Sequence, residues 1–167
     1  SSAPATAAIL LNRLKAKASS EPLNKHAWES LARSYLMLGL TDDAITASKK
    51  LVELDGGSSQ ARLLFIEASI AQDNGVFKLT TIAMLDEIIS AEPMNPLALT
   101  MRGLAYHQEG QADKALAYLL RASQNLPIES PLSQNLLPMI ESLENNTPTS
   151  PQKIPLAYPL VQISLSP

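Results

Sequence analysis

A net charge of −3 and a pI near 5.4 over 167 residues leave no basic surplus, so binding to a phosphate backbone is not expected and nucleic acid is excluded as the main partner. Apolar residues make up 46% of the chain but aromatics only 4%, so burial has to come from Leu, Ala, Ile and Met on helices, which points to an all-α class. The absence of cysteine rules out a disulfide, a thiolate metal site, a catalytic thiol and a covalent haem attachment within the chain.

No apolar run reaches the roughly 18–20 residues that a membrane span needs. The opening Ser1-Ser2-Ala3-Pro4 has neither an initiator Met nor a signal-peptide pattern, and is expected to begin a processed or excised soluble piece of something longer. In chain order, residues 5–19 predict an amphipathic helix with Ile9, Leu10 and Leu14 on one side, closed by Pro22. A helix pair follows over about 25–56. Trp28, Leu31, Ala32 and Tyr35 fall at i, i+3, i+4 and i+7, Gly39 stops the first helix, and Thr41 is the expected N-cap of the second, with Asp42 and Asp43 in its first turn. Ala44, Ser48 and Leu51 form the inward stripe of that second helix.

Residues 60–94 predict a second, longer pair. Leu64, Ala68 and Ala71 hold its first stripe and Asn74-Gly75 the stop. Val76-Phe77-Lys78-Leu79 then lengthens the turn before Thr80 or Thr81 caps the next helix, which carries Leu85 and Ile88 inward and ends at Pro93. The pair over 96–128 is the clearest. Leu99, Gly103 and Tyr106 share one helix face, Gly103 lets a neighbouring helix come close, Gly110 stops the helix, and Ala115, Leu119 and Ala122 line the partner before Pro127. Ser130 and Pro131 then start a capping helix over about 130–145, which Pro138 is expected to kink or split. Residues 147–167 read as a Pro/Ser/Thr-rich linker, with Leu160-Val161-Gln162-Ile163-Ser164-Leu165 as the possible start of a truncated β domain.

This order of small, aromatic, Gly, Ala, apolar and Pro residues, recurring about every 34 residues, matches the tetratricopeptide (TPR) pattern. It predicts a helical superhelix of about three repeats with flanking N-terminal and C-terminal capping helices, spanning 1–146 as one domain. Enzymatic chemistry has no foothold in the sequence. His26 and His107 have no ligand-spaced neighbours, no phosphate loop or nucleophile elbow is present, and no catalytic residue, metal ligand or cofactor is expected.

Function is expected instead in a groove. In each first helix the stripe one residue along from the motif stripe is turned by about 100° and is expected to face the concave side. It holds Glu29, Arg33, Leu36 and Met37 in the first repeat, and Phe65, Ser69 and Gln72 in the second. In the third it holds Leu97, Thr100, Leu104, His107 and Gln108. Mixed apolar and uncharged polar groups suit a peptide segment, and the shortage of Lys and Arg argues against a clamp for a free carboxylate.

Residues 7–144 resemble the TPR-containing cytochrome c-type biogenesis proteins of the bacterial haem lyase complex, including the nitrite reductase assembly homologues. The resemblance lies in Trp28, Leu31, Ala32, Arg33, Ser34 and Tyr35, and in the long turn from Asn74-Gly75 to Leu79-Thr80. It is carried further by Ala91, Pro93, Asn95, Pro96, Ala98, Leu99, Gly103, Ala105, Gly110 and Ala115. Leu119 stands where that family often has Trp, and Pro138 falls in a helix usually written without proline. The resemblance implies a periplasmic adaptor, the soluble part of a membrane-anchored protein. Its implied partners are the C-terminal segment of an apocytochrome c, presented for haem attachment, and subunits of the haem lyase complex. The alternative is a structural TPR scaffold that oligomerises or docks another subunit without binding free peptide.

Overall fold

The computed structural model describes residues 3–145, so the linker and strand expected over 147–167 lie outside the described residues. Eight helices and no strands appear among the described residues. They belong to two compact units divided between Gln72 and Asp73, inside the second predicted repeat.

The first unit holds α1 (Ala3–Ser20), α2 (Lys25–Met37), α3 (Thr41–Leu54) and α4 (Ser59–Gln72). Here α2 packs against α1, α3 and α4, and α3 also packs against α4. Its core is the predicted stripes: Leu31, Ala32 and Tyr35 of α2, Ala44, Ser48 and Leu51 of α3, and Leu64 and Ala68 of α4 are all buried. Lys25 at the start of α2 bonds Asp55 at the end of α3 at 2.9 Å. The second unit holds α5 (Leu79–Ala91), α6 (Pro96–Gln108), α7 (Ala112–Gln124) and α8 (Pro131–Glu144). In it α6 packs against α5 and α7, and α7 packs against α8.

The close approach expected at Gly103 is present. A Cβ placed on Gly103 would meet Leu119 Cδ2 at 2.8 Å, Leu119 Cγ at 2.9 Å and the Ala115 carbonyl oxygen at 3.3 Å. Only hydrogen fits between α6 and α7 at that point.

The turns inside the first and third helix pairs share one construction. Gly39 adopts φ 71° and Gly110 φ 76°, the left-handed region that favours glycine. The next amide reaches back five residues, closing a six-residue turn, Leu40 to the Tyr35 carbonyl and Gln111 to the Tyr106 carbonyl, both at 2.9 Å. Because the chain passes directly from this closure into the next helix, Leu40 and Gln111 occupy the N-cap position. Thr41 is therefore the first helical residue and not the predicted cap. A similar correction applies at α5, whose N-cap is Lys78 with no side-chain cap bond. Thr80 and Thr81 lie inside that helix, and Thr81 is buried.

Turns between pairs rest on side-chain caps. Asn24 accepts from the Ala27 amide at 3.1 Å and Asn95 from the Ala98 amide at 3.0 Å. The same Asn amides donate to Glu21 and Glu92, so Glu21-Pro22-Leu23-Asn24 and Glu92-Pro93-Met94-Asn95 are one turn used twice. Ser130 caps α8 as expected, accepting from the Ser133 amide at 3.1 Å with Pro131 at the helix start. Pro138 does not split α8, which runs through to Glu144. Pro138 and Gln134, whose carbonyl loses its helical donor, are both exposed, and water can meet that carbonyl. Leu136, Ile140 and Leu143 hold the opposite side of α8 buried.

Candidate functional site: the α2–α4 face

The predicted groove residues fall into two groups with different fates. In the first unit, Glu29, Arg33, Phe65 and Ser69 are half-buried, Met37 is 59% exposed, Gln72 is exposed and Leu36 is buried. Most of this stripe keeps solvent access on two helices in contact.

Its polar members form a network. Arg33 donates to Glu29 Oε1 from Nη2 at 3.0 Å and from Nε at 3.2 Å. Gln60, at the start of α4, donates to the same oxygen at 3.4 Å and so links the two helices. Gln72 at the other end of α4 hydrogen-bonds Asp42 in the first turn of α3. Arg33 Nη1 is buried and has no hydrogen-bond partner. Phe65 lies beside Lys49, whose ammonium is 5.9 Å from the ring centroid. Below this face Tyr35 is buried, and its hydroxyl is pushed above the ordinary phenol value, first by burial and then by the Asp43 carboxylate. It stays protonated at neutral pH.

In the second unit the corresponding stripe is largely absorbed by the fold. Thr100, Leu104 and His107 are 1%, 5% and 8% exposed, and the Thr100 hydroxyl donates to the Pro96 carbonyl at 2.7 Å. Gln108 braces the long turn after α4: its amide donates to the Gly75 carbonyl at 2.6 Å and its oxygen accepts from the Phe77 amide at 3.3 Å. Of this stripe Leu97 and Gln108 keep partial exposure.

Sequence reasoning passed over a polar cluster in this unit. Arg102, with its side chain 9% exposed, bonds Asp86 of α5 at 2.9 Å and lies 3.8 Å from the centroid of the Tyr106 ring. Tyr106 is 5.1 Å from Tyr118 of α7, with the rings tilted at 57°. The Tyr118 hydroxyl is pushed up by burial first and then by its interaction with Tyr106. Arg102 stands three residues after Leu99, where the TPR pattern has Leu, and Glu67, buried at 3%, stands at that place in the second repeat. A charge at an apolar motif position was the available signal.

Among the described residues no group of His, Asp and Glu is arranged to hold a metal ion, and no helix is long and apolar enough to cross a membrane.

These features define an all-helical, TPR-like fold. A tetratricopeptide repeat family model matches residues 82–127, from within α5 to the end of the third pair. A crystal structure of MamA superposes with a TM-score of 0.58 over 81% of this chain and 85% of that one, at 22% identity, and supports the fold alone. The cytochrome c-type biogenesis protein CycH of Rhizobium meliloti (strain 1021) is 25% identical over 123 residues, or 74% of this chain. That stretch is 32% of CycH, so the chain spans about a third of its relative's length.

Proposed function

We propose that this chain is a protein-interaction adaptor of cytochrome c maturation. On this reading it holds the C-terminal region of an apocytochrome c on the α2–α4 face and presents it for haem attachment beside subunits of a haem lyase complex. Its place is periplasmic, tethered by segments outside this chain. The observation that carries the reading is the face itself. Glu29, Arg33, Met37, Phe65, Ser69 and Gln72 stay accessible on two packed helices, while the equivalent residues of the second unit are mostly buried. The likeness to CycH, named as a cytochrome c-type biogenesis protein, supports an apocytochrome c as the cargo. Stacked helical repeats commonly offer such faces to extended or helical segments.

Isothermal titration calorimetry with a C-terminal apocytochrome c peptide is the test, and saturable binding at one peptide per chain is the expected result. Absence of binding by both the peptide and the intact apoprotein overturns the reading.

A structural scaffold is the second reading, favoured by one observation. Met37, Leu38 and Leu40 at the α2–α3 turn are 59%, 46% and 41% exposed, a run of large apolar side chains next to one another. Under it, light scattering shows a concentration-dependent oligomer that Met37→Glu with Leu40→Glu disperses. A monomer at all concentrations removes it.

A further inference from the structure

The apolar stripe of α1 expected from the sequence is divided in the structure. Leu14 joins Leu11 and Ala18 on the side that α1 lays on α2, while Ile9 and Leu10 remain 54% and 52% exposed. At about 100° per residue, Ile9, Arg13, Lys17 and Leu10 follow one another around an arc of about 100° on the side turned away from α2. All four are exposed. Two large apolar side chains thus flank two cations on one open strip.

Charge is as unevenly placed as apolar surface. Residues 1–20 hold Arg13, Lys15 and Lys17 and no acid, so in a chain of net charge −3 the other residues sum to −6. The acids that adjoin α1 are engaged elsewhere. Glu21 accepts from Asn24 at 2.5 Å, and Glu29, the one acid of α2, pairs with Arg33 at 3.0 Å. Asp43 of α3 acts on the Tyr35 hydroxyl, and the cation over the Tyr35 ring is Lys15, at 5.8 Å. Lys15 therefore stands on the α2 side of the helix. Arg13 and Lys17 form no ion pair among the described residues.

Long cationic side chains keep their charge among phosphate headgroups while their stems, and apolar neighbours such as Ile9 and Leu10, enter the acyl boundary. An acidic protein face answers the cations but sets carboxylates against Ile9 and Leu10, whereas an anionic lipid surface answers both. We propose that α1 is an interfacial helix that rests on an anionic phospholipid surface through Ile9, Leu10, Arg13 and Lys17. It lies on that surface without crossing it, and its contact is independent of what the α2–α4 face holds.

The test is flotation of the whole chain at low ionic strength with vesicles of phosphatidylcholine alone, or of equal parts phosphatidylglycerol and phosphatidylcholine. One cation near an anionic surface raises partitioning about fivefold, so Arg13 and Lys17 should give a preference of about tenfold or more for the anionic vesicles, and added salt should screen it. Arg13→Gln with Lys17→Gln should remove the preference. Ile9→Ser with Leu10→Ser should lower binding to the anionic vesicles by about tenfold. Lys50→Gln with Lys114→Gln, which removes two cations outside α1, should change that binding by less than about twofold, because charges beyond a Debye length of the surface are screened. Far-UV circular dichroism verifies that each variant is folded. Equal binding to both kinds of vesicle, binding to neither, or an equal loss in Lys50→Gln with Lys114→Gln overturns the inference. So does a dimer in light scattering that Arg13→Gln with Lys17→Gln disperses while no vesicle is bound, which assigns the strip to the acidic surface of a second copy.

Discussion

Gly103→Ala should destabilise this protein even though alanine is the better helix former. At an unconstrained helix position the exchange would gain about 1 kcal/mol. Here the new methyl would lie 2.8 Å from Leu119 Cδ2 and 2.9 Å from Leu119 Cγ, with the Ala115 carbonyl at 3.3 Å. Cγ is the branch point of a fully buried side chain, so rotating a terminal methyl aside does not relieve the contact. Overpacking of that kind costs about 1–3 kcal/mol. The net loss is then about 1 kcal/mol, or a fall in Tm of about 3 °C for a chain of this size. Urea titration followed by far-UV circular dichroism measures it. The decisive comparison is the same exchange in a Leu119→Ala background. Leu119→Ala alone should cost about 2–5 kcal/mol, but it removes the atoms that obstruct the methyl. Gly103→Ala should then recover up to about 1 kcal/mol, a reversal of sign. A stabilising Gly103→Ala in the wild-type chain, or an equal cost in both backgrounds, refutes the steric account of the α6–α7 contact.

Gln108→Ala should release the long turn after α4. Two hydrogen bonds disappear, stability drops by about 1–2 kcal/mol, and hydrogen exchange at the Phe77 amide accelerates. Asp55 has its carboxyl held below the ordinary carboxylate value, first by a hydrogen bond from Ser58 and then by Lys25. The folded state therefore binds that proton less tightly than the unfolded one. The contribution is complete above the ordinary value, about 4, and is lost as pH falls through the lowered folded value. Asp55→Asn should flatten the acid limb of a stability–pH curve measured by urea midpoints. At the Arg102 cluster the two partners are unequal, because Asp86 is 53% exposed and stays hydrated when unpaired. Arg102→Leu should leave stability within about 1 kcal/mol of wild type or raise it, and Asp86→Ala should lower it by about 1–2 kcal/mol by stranding a buried guanidinium. The opposite order in chemical denaturation would show that the cation–aromatic stack outweighs the ion pair.

What could be read from the sequence followed from steric rules that act over one helix turn. Leu99, Gly103, Ala115 and Leu119 announce a close helix pair because only a glycine opposite a buried branched side chain allows that approach. Gly39 and Gly110 announce helix stops because few residues adopt positive φ. The capping residues were harder. Thr41 and Thr81 have cap chemistry, but the six-residue closure at Leu40 and the braced turn before α5 place the helix starts earlier than composition suggests. The groove stripe shows a similar limit. An offset of 100° gives the direction in which Thr100, Leu104 and His107 leave α6, but not what packs over them. Arg102 and Glu67 were legible as departures from the motif's Leu position, and a reading of matches alone passes over departures.

The two units use the same repeat positions for different ends. In the second unit Gln108 spends both ends of its amide on the Gly75–Phe77 turn, and Thr100 bonds its own helix. These are contributions to stability, and a ligand cannot borrow them without breaking them. In the first unit the equivalent positions are tied mainly to each other. Glu29, Arg33 and Gln60 share one carboxylate oxygen. The polar residues of the repeat are therefore more accessible on α2 and α4 than on α6. The residues that fit the repeat pattern best, around Gly103, contribute stability in their place.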